Sequence, residues 1–118
     1  MADSSNGQLS QAHSLRIGGS YDEALLLYRQ VVEADASAAD AWWGLGLVLM
    51  NIGEFDEALE VFAKSAEIDE RPKYLLDLGK LQTMLGMFDE AKPVFERVVA
   101  LDENSREADD ARNQLRYY

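Results

Sequence analysis

The chain of 118 residues contains no cysteine, a single histidine and two prolines. Without thiols there is no disulfide framework and no cysteine nucleophile, and one histidine alone does not supply the ligand cluster that zinc requires. No stretch approaches the roughly 20 apolar residues that span a bilayer. Residues 1–8 lack both a basic start and an apolar run, so they read as neither a secretory signal nor an anchor. Positive charge is scarce as well: 11 Lys and Arg stand against 22 Asp and Glu, a formal net charge of −11. A field of that sign repels phosphate backbones and anionic headgroups, which argues against nucleic acid and membrane surfaces as partners. There is also no glycine loop followed by lysine to cradle a phosphate. Together these absences point to a soluble, cytoplasmic protein with no cofactor and no bound metal.

What the chain does have is one phrase written three times. Gly19-Ser20-Tyr21-Asp22-Glu23-Ala24, Gly53-Glu54-Phe55-Asp56-Glu57-Ala58 and Gly86-Met87-Phe88-Asp89-Glu90-Ala91 share a glycine, an aromatic residue, two acids and an alanine, at spacings of 34 and 33 residues. A period of that size marks stacked two-helix units that cover one another's apolar faces, rather than a globule around one buried active site. In register, the phrases divide the chain into 5–38, 39–71 and 72–105, with a tail at 106–118. The net charges of these segments are −2, −6, −2 and 0.

The glycine of each phrase permits the positive φ that ends one helix just before the next begins. The two acids then fall in the opening turn of the second helix, where free N–H groups favour negative charge by about 0.3–1 kcal/mol. They recur because the helix start recurs, and so read as helix chemistry rather than paired catalytic carboxylates. In the middle unit Trp42, Leu45, Gly46 and Leu49 line one face of the first helix, with Gly46 leaving room for the second. Phe55, Ala58, Phe62 and Ala66 form the matching stripe. The first unit has Gln8, Gln11 and Ala12 at the places of Trp42, Leu45 and Gly46, a polar face suited to a terminal repeat or to a loosely held helix. Segment 1–7 is polar and expected to be disordered, leaving 8–118 as one domain. Asn104 or Ser105 is placed to cap a last helix with Ala108, Ala111 and Leu115 on one face.

Trp42-x2-Leu45-Gly46-x2-Leu49 followed by Ala58-x3-Phe62 resembles the tetratricopeptide repeat signature. Ala24-x3-Tyr28 echoes it in the first unit, and Leu78-Gly79 with Ala91-x3-Phe95 in the third. The resemblance implies an all-α fold, a right-handed α-solenoid of three helix-turn-helix units closed by a C-terminal solvating helix over 106–118. It further implies a non-catalytic protein-interaction module whose first helices line a concave groove. The groove positions it assigns include Asn6, Leu9, His13 and Arg16 in the first unit and Asp40, Trp43, Gly44, Leu47 and Met50 in the second. The third unit contributes Lys73, Leu76, Asp77, Lys80 and Met84. Members that serve heat-shock chaperones grip a C-terminal carboxylate with lysine, asparagine and arginine. At the matching places this chain has Leu9, His13, Gly44, Lys73 and Asp77, of which only Lys73 fits. What remains resembles grooves that hold an apolar or amphipathic segment, as in the small acidic chaperones of type III secretion translocators.

Adjacent helical residues do not share a face, so Trp43 projects into the groove if Trp42 fills the core. With Leu47, Met50, Leu76 and Met84 it would form an apolar patch that folding does not require. That patch is expected to dock a partner's apolar segment, with Lys73, Asp77 and Lys80 orienting it from the rim. Two alternatives stay open. Packing of Trp43 under a terminal helix would remove the patch, and pairing of two copies through the groove or the terminal helices would make the chain a self-assembling homo-oligomer. His13 and Ser14 are helix neighbours that point apart, so they form no Ser/His pair, and His13 reads as a partly exposed groove residue.

Overall fold

The structure is a computed structural model that describes residues 2–118, with side chains from residue 7 onward. Met1 and the side chains of residues 2–6, with them that of the expected groove position Asn6, lie outside the described residues; the backbone of residues 2–7, a segment expected to be disordered, is the first part of α1. Among the described residues there are seven helices and no strand: α1 (Ala2–Ile17), α2 (Tyr21–Ala34), α3 (Ala39–Asn51), α4 (Phe55–Ile68), α5 (Pro72–Met84), α6 (Phe88–Leu101) and α7 (Arg106–Leu115). The fold is the all-α helical repeat that the register implies. The chain divides into two compact units, residues 1–68 with α1–α4 and residues 69–118 with α5–α7.

The recurring phrase builds the same turn each time. Gly19, Gly53 and Gly86 have φ of 86°, 85° and 79°. Each turn is closed by an amide reaching five residues back: Ser20 to Leu15, Glu54 to Leu49 and Met87 to Gln82, all at 2.8 Å. This satisfies carbonyls that a helix end otherwise leaves open. The phrase alanine then donates its N–H to the residue before the helix at 3.0 Å in all three copies, Ala24 to Ser20, Ala58 to Glu54 and Ala91 to Met87. Asp22 and Glu23, Asp56 and Glu57, and Asp89 and Glu90 occupy the first turns of α2, α4 and α6. Glu57 has a second task, since it takes both ends of the Arg29 guanidinium at 2.8 and 3.2 Å and so ties α4 to α2.

In the first unit α3 packs against α1, α2 and α4, and Ala41, Gly44, Leu45, Gly46, Val48 and Leu49 are all buried. Gly46 is the close approach that its position demands: a Cβ there would sit 2.5 Å from the ring of Phe62. The stripe of α4 is Ala58, Val61, Phe62 and Ser65. Ser65 takes the place expected of Ala66, and its buried hydroxyl donates to the Ala39 carbonyl at 2.9 Å, which satisfies it. Trp42 also departs from expectation. It is half-buried rather than a core filler, and its indole N–H donates to the Ala36 carbonyl at 2.9 Å, fastening the α2–α3 connection. In the second unit Phe95 lies against Gly79, the same contact one repeat later. Ser105 caps α7 by accepting from the Ala108 amide at 3.0 Å, and Ala108 and Ala111 are fully buried.

Candidate functional site

A group of interacting polar side chains lies where α1, α2 and α3 meet. Tyr28 of α2 is fully buried, yet its hydroxyl is not idle. The Nε–H of Arg16 donates to it at 3.0 Å, and His13 Nδ1 makes a close hydrogen bond with it. The other ring nitrogen of His13, Nε2, lies 3.0 Å from Oδ2 of Asp40 on α3. One assignment of protons satisfies every group. Arg16 donates to the phenol oxygen, the phenol O–H donates to Nδ1, and Nε2–H donates to Asp40. Burial raises the pKa of the Tyr28 phenol above its ordinary value; the hydrogen bond and the charge of Arg16 oppose that rise, and the Asp40 carboxylate adds to it.

Trp43 closes the group. The Arg16 guanidinium carbon lies 5.3 Å from the centroid of the Trp43 ring, within cation–π range, and the imidazole of His13 meets that ring edge-on at 6.2 Å. Beneath them Gly44 admits the Tyr28 ring, for a Cβ at 44 would fall 2.4 Å from two of its carbons. Gly44, assigned to the groove by resemblance, is therefore buried as a packing contact. A helical glycine looks the same in the sequence whether its missing side chain faces solvent or a neighbouring ring.

The expected site residues distribute over both units. In the first, Leu9, His13, Trp43, Leu47 and Met50 are all partly exposed. Trp43, Leu47 and Met50 follow one another at helical spacing along α3, on a different face from its core residues Ala41, Leu45, Val48 and Leu49. In the second unit Leu76 is 6 % exposed and does not offer an apolar surface. The reason is that Tyr74, Leu75 and Leu76 are all buried, and three consecutive residues cover more than half the circumference of a helix. Lys80 is exposed but lies 3.7 Å from Asp110 of α7, and Lys73 carries its ammonium over the ring of Tyr74 at 5.3 Å. Asp77 is partly exposed, and Met84 is 55 % exposed. Near Met84, Tyr118 donates to or accepts from Thr83 at 2.7 Å and meets Phe88 edge-on, while Tyr117 extends into solvent.

Both ring nitrogens of His13 are engaged, the phenol is sealed from solvent, and Ser14 is not among its partners. Among the described residues no three His, Cys, Asp or Glu gather to hold a metal, and no helix is long and apolar enough to cross a membrane. The repeat phrase hides the role of Tyr28, because it reads that residue as one more core aromatic. One signal is available: Phe62 and Phe95 hold the equivalent place in the other repeats, so the first repeat alone adds a hydroxyl there, and a buried hydroxyl needs partners.

Comparison with known proteins agrees with this architecture. Over 59 residues, half of this chain, the sequence is 37 % identical to Protein bimA of Emericella nidulans, although that match covers 7 % of the fungal protein. The type III secretion translocator chaperone SycD of Yersinia enterocolitica superposes with a TM-score of 0.91 at 19 % identity, over 99 % of this chain and 84 % of SycD. The second TPR domain of human RPAP3, solved in complex with an HSP70 peptide, superposes with a TM-score of 0.81 at 22 % identity, over 92 % of each chain. The tetratricopeptide repeat models match residues 9–74 and 72–105, between them nearly the whole of the helical array, and the chain belongs to the tetratricopeptide repeat family.

Proposed function

We propose that this chain is a non-catalytic protein-interaction module that binds an apolar or amphipathic segment of a partner on the face formed by α1 and α3. The observation that carries the reading is the line of Trp43, Leu47 and Met50, three large apolar side chains left partly exposed at helical spacing while α3 fills its core with other residues. Tryptophan and methionine are favoured at contact surfaces, and a half-exposed indole backed by Arg16 and His13 is held in place before any partner arrives. Family membership supports the reading, as do SycD, which is a translocator chaperone, and RPAP3, which holds a chaperone peptide.

The test is selection of binders from a random displayed-peptide library by the purified chain. Selected peptides are expected to be amphipathic, and to lose binding to Trp43→Glu and to Leu47→Asp while both variants keep wild-type helicity by circular dichroism. A library that yields no binder, or binders indifferent to both substitutions, would sink the proposal.

A further inference from the structure

Arg16 is the guanidinium that this structure orients without giving it an acid. Arg29, Arg71, Arg97 and Arg112 each hold a carboxylate, on Glu57, Asp69, Glu70 and Asp109. Arg16 instead has its Nε donating to the buried Tyr28 hydroxyl and its guanidinium carbon 5.3 Å from the centroid of the Trp43 ring, while the Asp40 carboxylate accepts from His13. Among the described residues nothing accepts a hydrogen bond from its two Nη groups. In a chain with twice as many acids as bases, an arginine held in one geometry with its fork unfilled has a shape with a definite complement. A guanidinium fork matches a planar carboxylate with two parallel hydrogen bonds, and little side-chain freedom remains to be lost when the stem is already fixed.

We infer that Arg16 is a receptor for an aspartate or glutamate side chain of the bound segment, placed beside the apolar residue that meets Trp43. This rests on the interaction-module reading and adds the chemistry of its ligand. The carboxylate comes from a side chain rather than a chain terminus. Of the five places where the family clamps a terminus only Lys73 is of the fitting kind, and those on α1 and α3 hold Leu9, His13, which is engaged with Tyr28 and Asp40, and Gly44, which lies against the Tyr28 ring. A singly charged carboxylate is favoured over a phosphate, because the second negative charge would meet Asp40 and the field of a chain whose net charge is −11.

The experiment uses the peptide that binds best in the library selection, with its acid intact and with that acid changed to the amide. These are titrated against the wild-type chain, Arg16→Gln and Arg16→Lys. Selected sequences are expected to carry an acid at a fixed distance from an apolar residue. Arg16→Gln should weaken binding about ten- to a hundredfold, the range for a charge-assisted contact. Arg16→Lys should restore only part of that loss, since an ammonium keeps the charge but not the fork. The amide peptide should lose as much on the wild-type chain and nothing further on Arg16→Gln. The inference is overturned if Arg16→Gln and Arg16→Lys both bind like wild type, if the acid-to-amide change costs the same on every protein, or if phosphoserine in place of the acid binds more tightly. Acid-free apolar peptides that depend on Trp43 but not on Arg16 would overturn it while leaving the interaction module standing; a library without binders would overturn both.

Discussion

Alanine in place of Gly44 separates two accounts of the α1–α3 face. If position 44 faced an open groove, a methyl group would meet nothing and the helix would gain about 1 kcal/mol from replacing glycine. In the structure the new Cβ would stand 2.4 Å from Cε1 and Cζ of Tyr28 and 2.6 Å from its hydroxyl oxygen. Carbon atoms settle about 3.5–4.0 Å apart, so the ring or the helix must give by about 1 Å. The ring has little room to do so, being fully buried and tied at its hydroxyl to Arg16 and His13. Overpacking costs about 1–3 kcal/mol, and each hydrogen bond stretched by a retreating phenol adds about 0.5–1.5 kcal/mol. Less the helix gain, and with both bonds to the hydroxyl stretched, Gly44→Ala should destabilise the first unit by about 1–5 kcal/mol.

Urea unfolding followed by tryptophan fluorescence reads the effect where it arises, because Trp42 and Trp43 both lie on α3. With a slope of about 1–3 kcal/mol per molar urea, the midpoint should fall by on the order of 1 M. A cycle with Tyr28→Leu isolates the cause: once the ring is gone, Gly44→Ala should turn neutral or stabilising. An unchanged or higher midpoint for Gly44→Ala in the wild-type background would refute the packing, and a loss that persists undiminished in the Tyr28→Leu background would refute its attribution to the ring.

The Tyr28 hydroxyl also predicts a pH dependence. Burial raises its pKa above the ordinary value of 10.0, against the opposing pull of Arg16, so the folded state binds the phenolic proton more tightly than the unfolded state does. That contribution is complete below the ordinary value and is lost as pH rises through the folded pKa. The stability of Tyr28→Phe relative to wild type should therefore be flat near neutrality and improve steadily above about pH 10; a difference that stays constant across the alkaline range would contradict the assignment. At the other end of the chain, Ser105→Ala removes the side chain that accepts from the Ala108 amide at 3.0 Å. It should cost α7 about 1 kcal/mol, seen as faster hydrogen exchange of the amides of that helix; unchanged exchange would mean that the cap adds nothing.

The features legible in the sequence are those set by local chemistry that repeats. A positive-φ glycine, acids at a helix start and a small residue opposite an aromatic leave the same trace in each copy, so Gly53, Asp56-Glu57 and Gly46 can be read from spacing alone. The residues that spacing misplaces are those whose role depends on which helix lies across from them. Gly44 and Gly46 are two apart on one helix and identical in composition, yet one admits Phe62 of its own repeat and the other admits Tyr28 of the repeat before. Gly46 is the first of these and Gly44 the second. Leu76 looks free when its face is inferred from its own helix, but burial of the whole Tyr74–Leu76 run is decided by what surrounds that helix.

The polar first helix has a different meaning once its neighbours are in place. In the sequence its departures from the repeat pattern mark a terminal unit or a loose helix, with His13 and Arg16 as ordinary positions along a groove. The structure joins them to another departure, the tyrosine that stands at 28 where the other repeats have Phe62 and Phe95. A hydroxyl buried at that position would be costly if α1 were a copy of α3, with Leu47 and Met50 at the places of His13 and Arg16. It is satisfied because α1 supplies an imidazole and a guanidinium there. The polar residues of α1 and the tyrosine of α2 are thus one substitution made on two helices, which anchors α1 without a leucine-rich face. It also leaves Arg16 held at its Nε by the phenol, with its guanidinium carbon 5.3 Å from the centroid of the Trp43 ring.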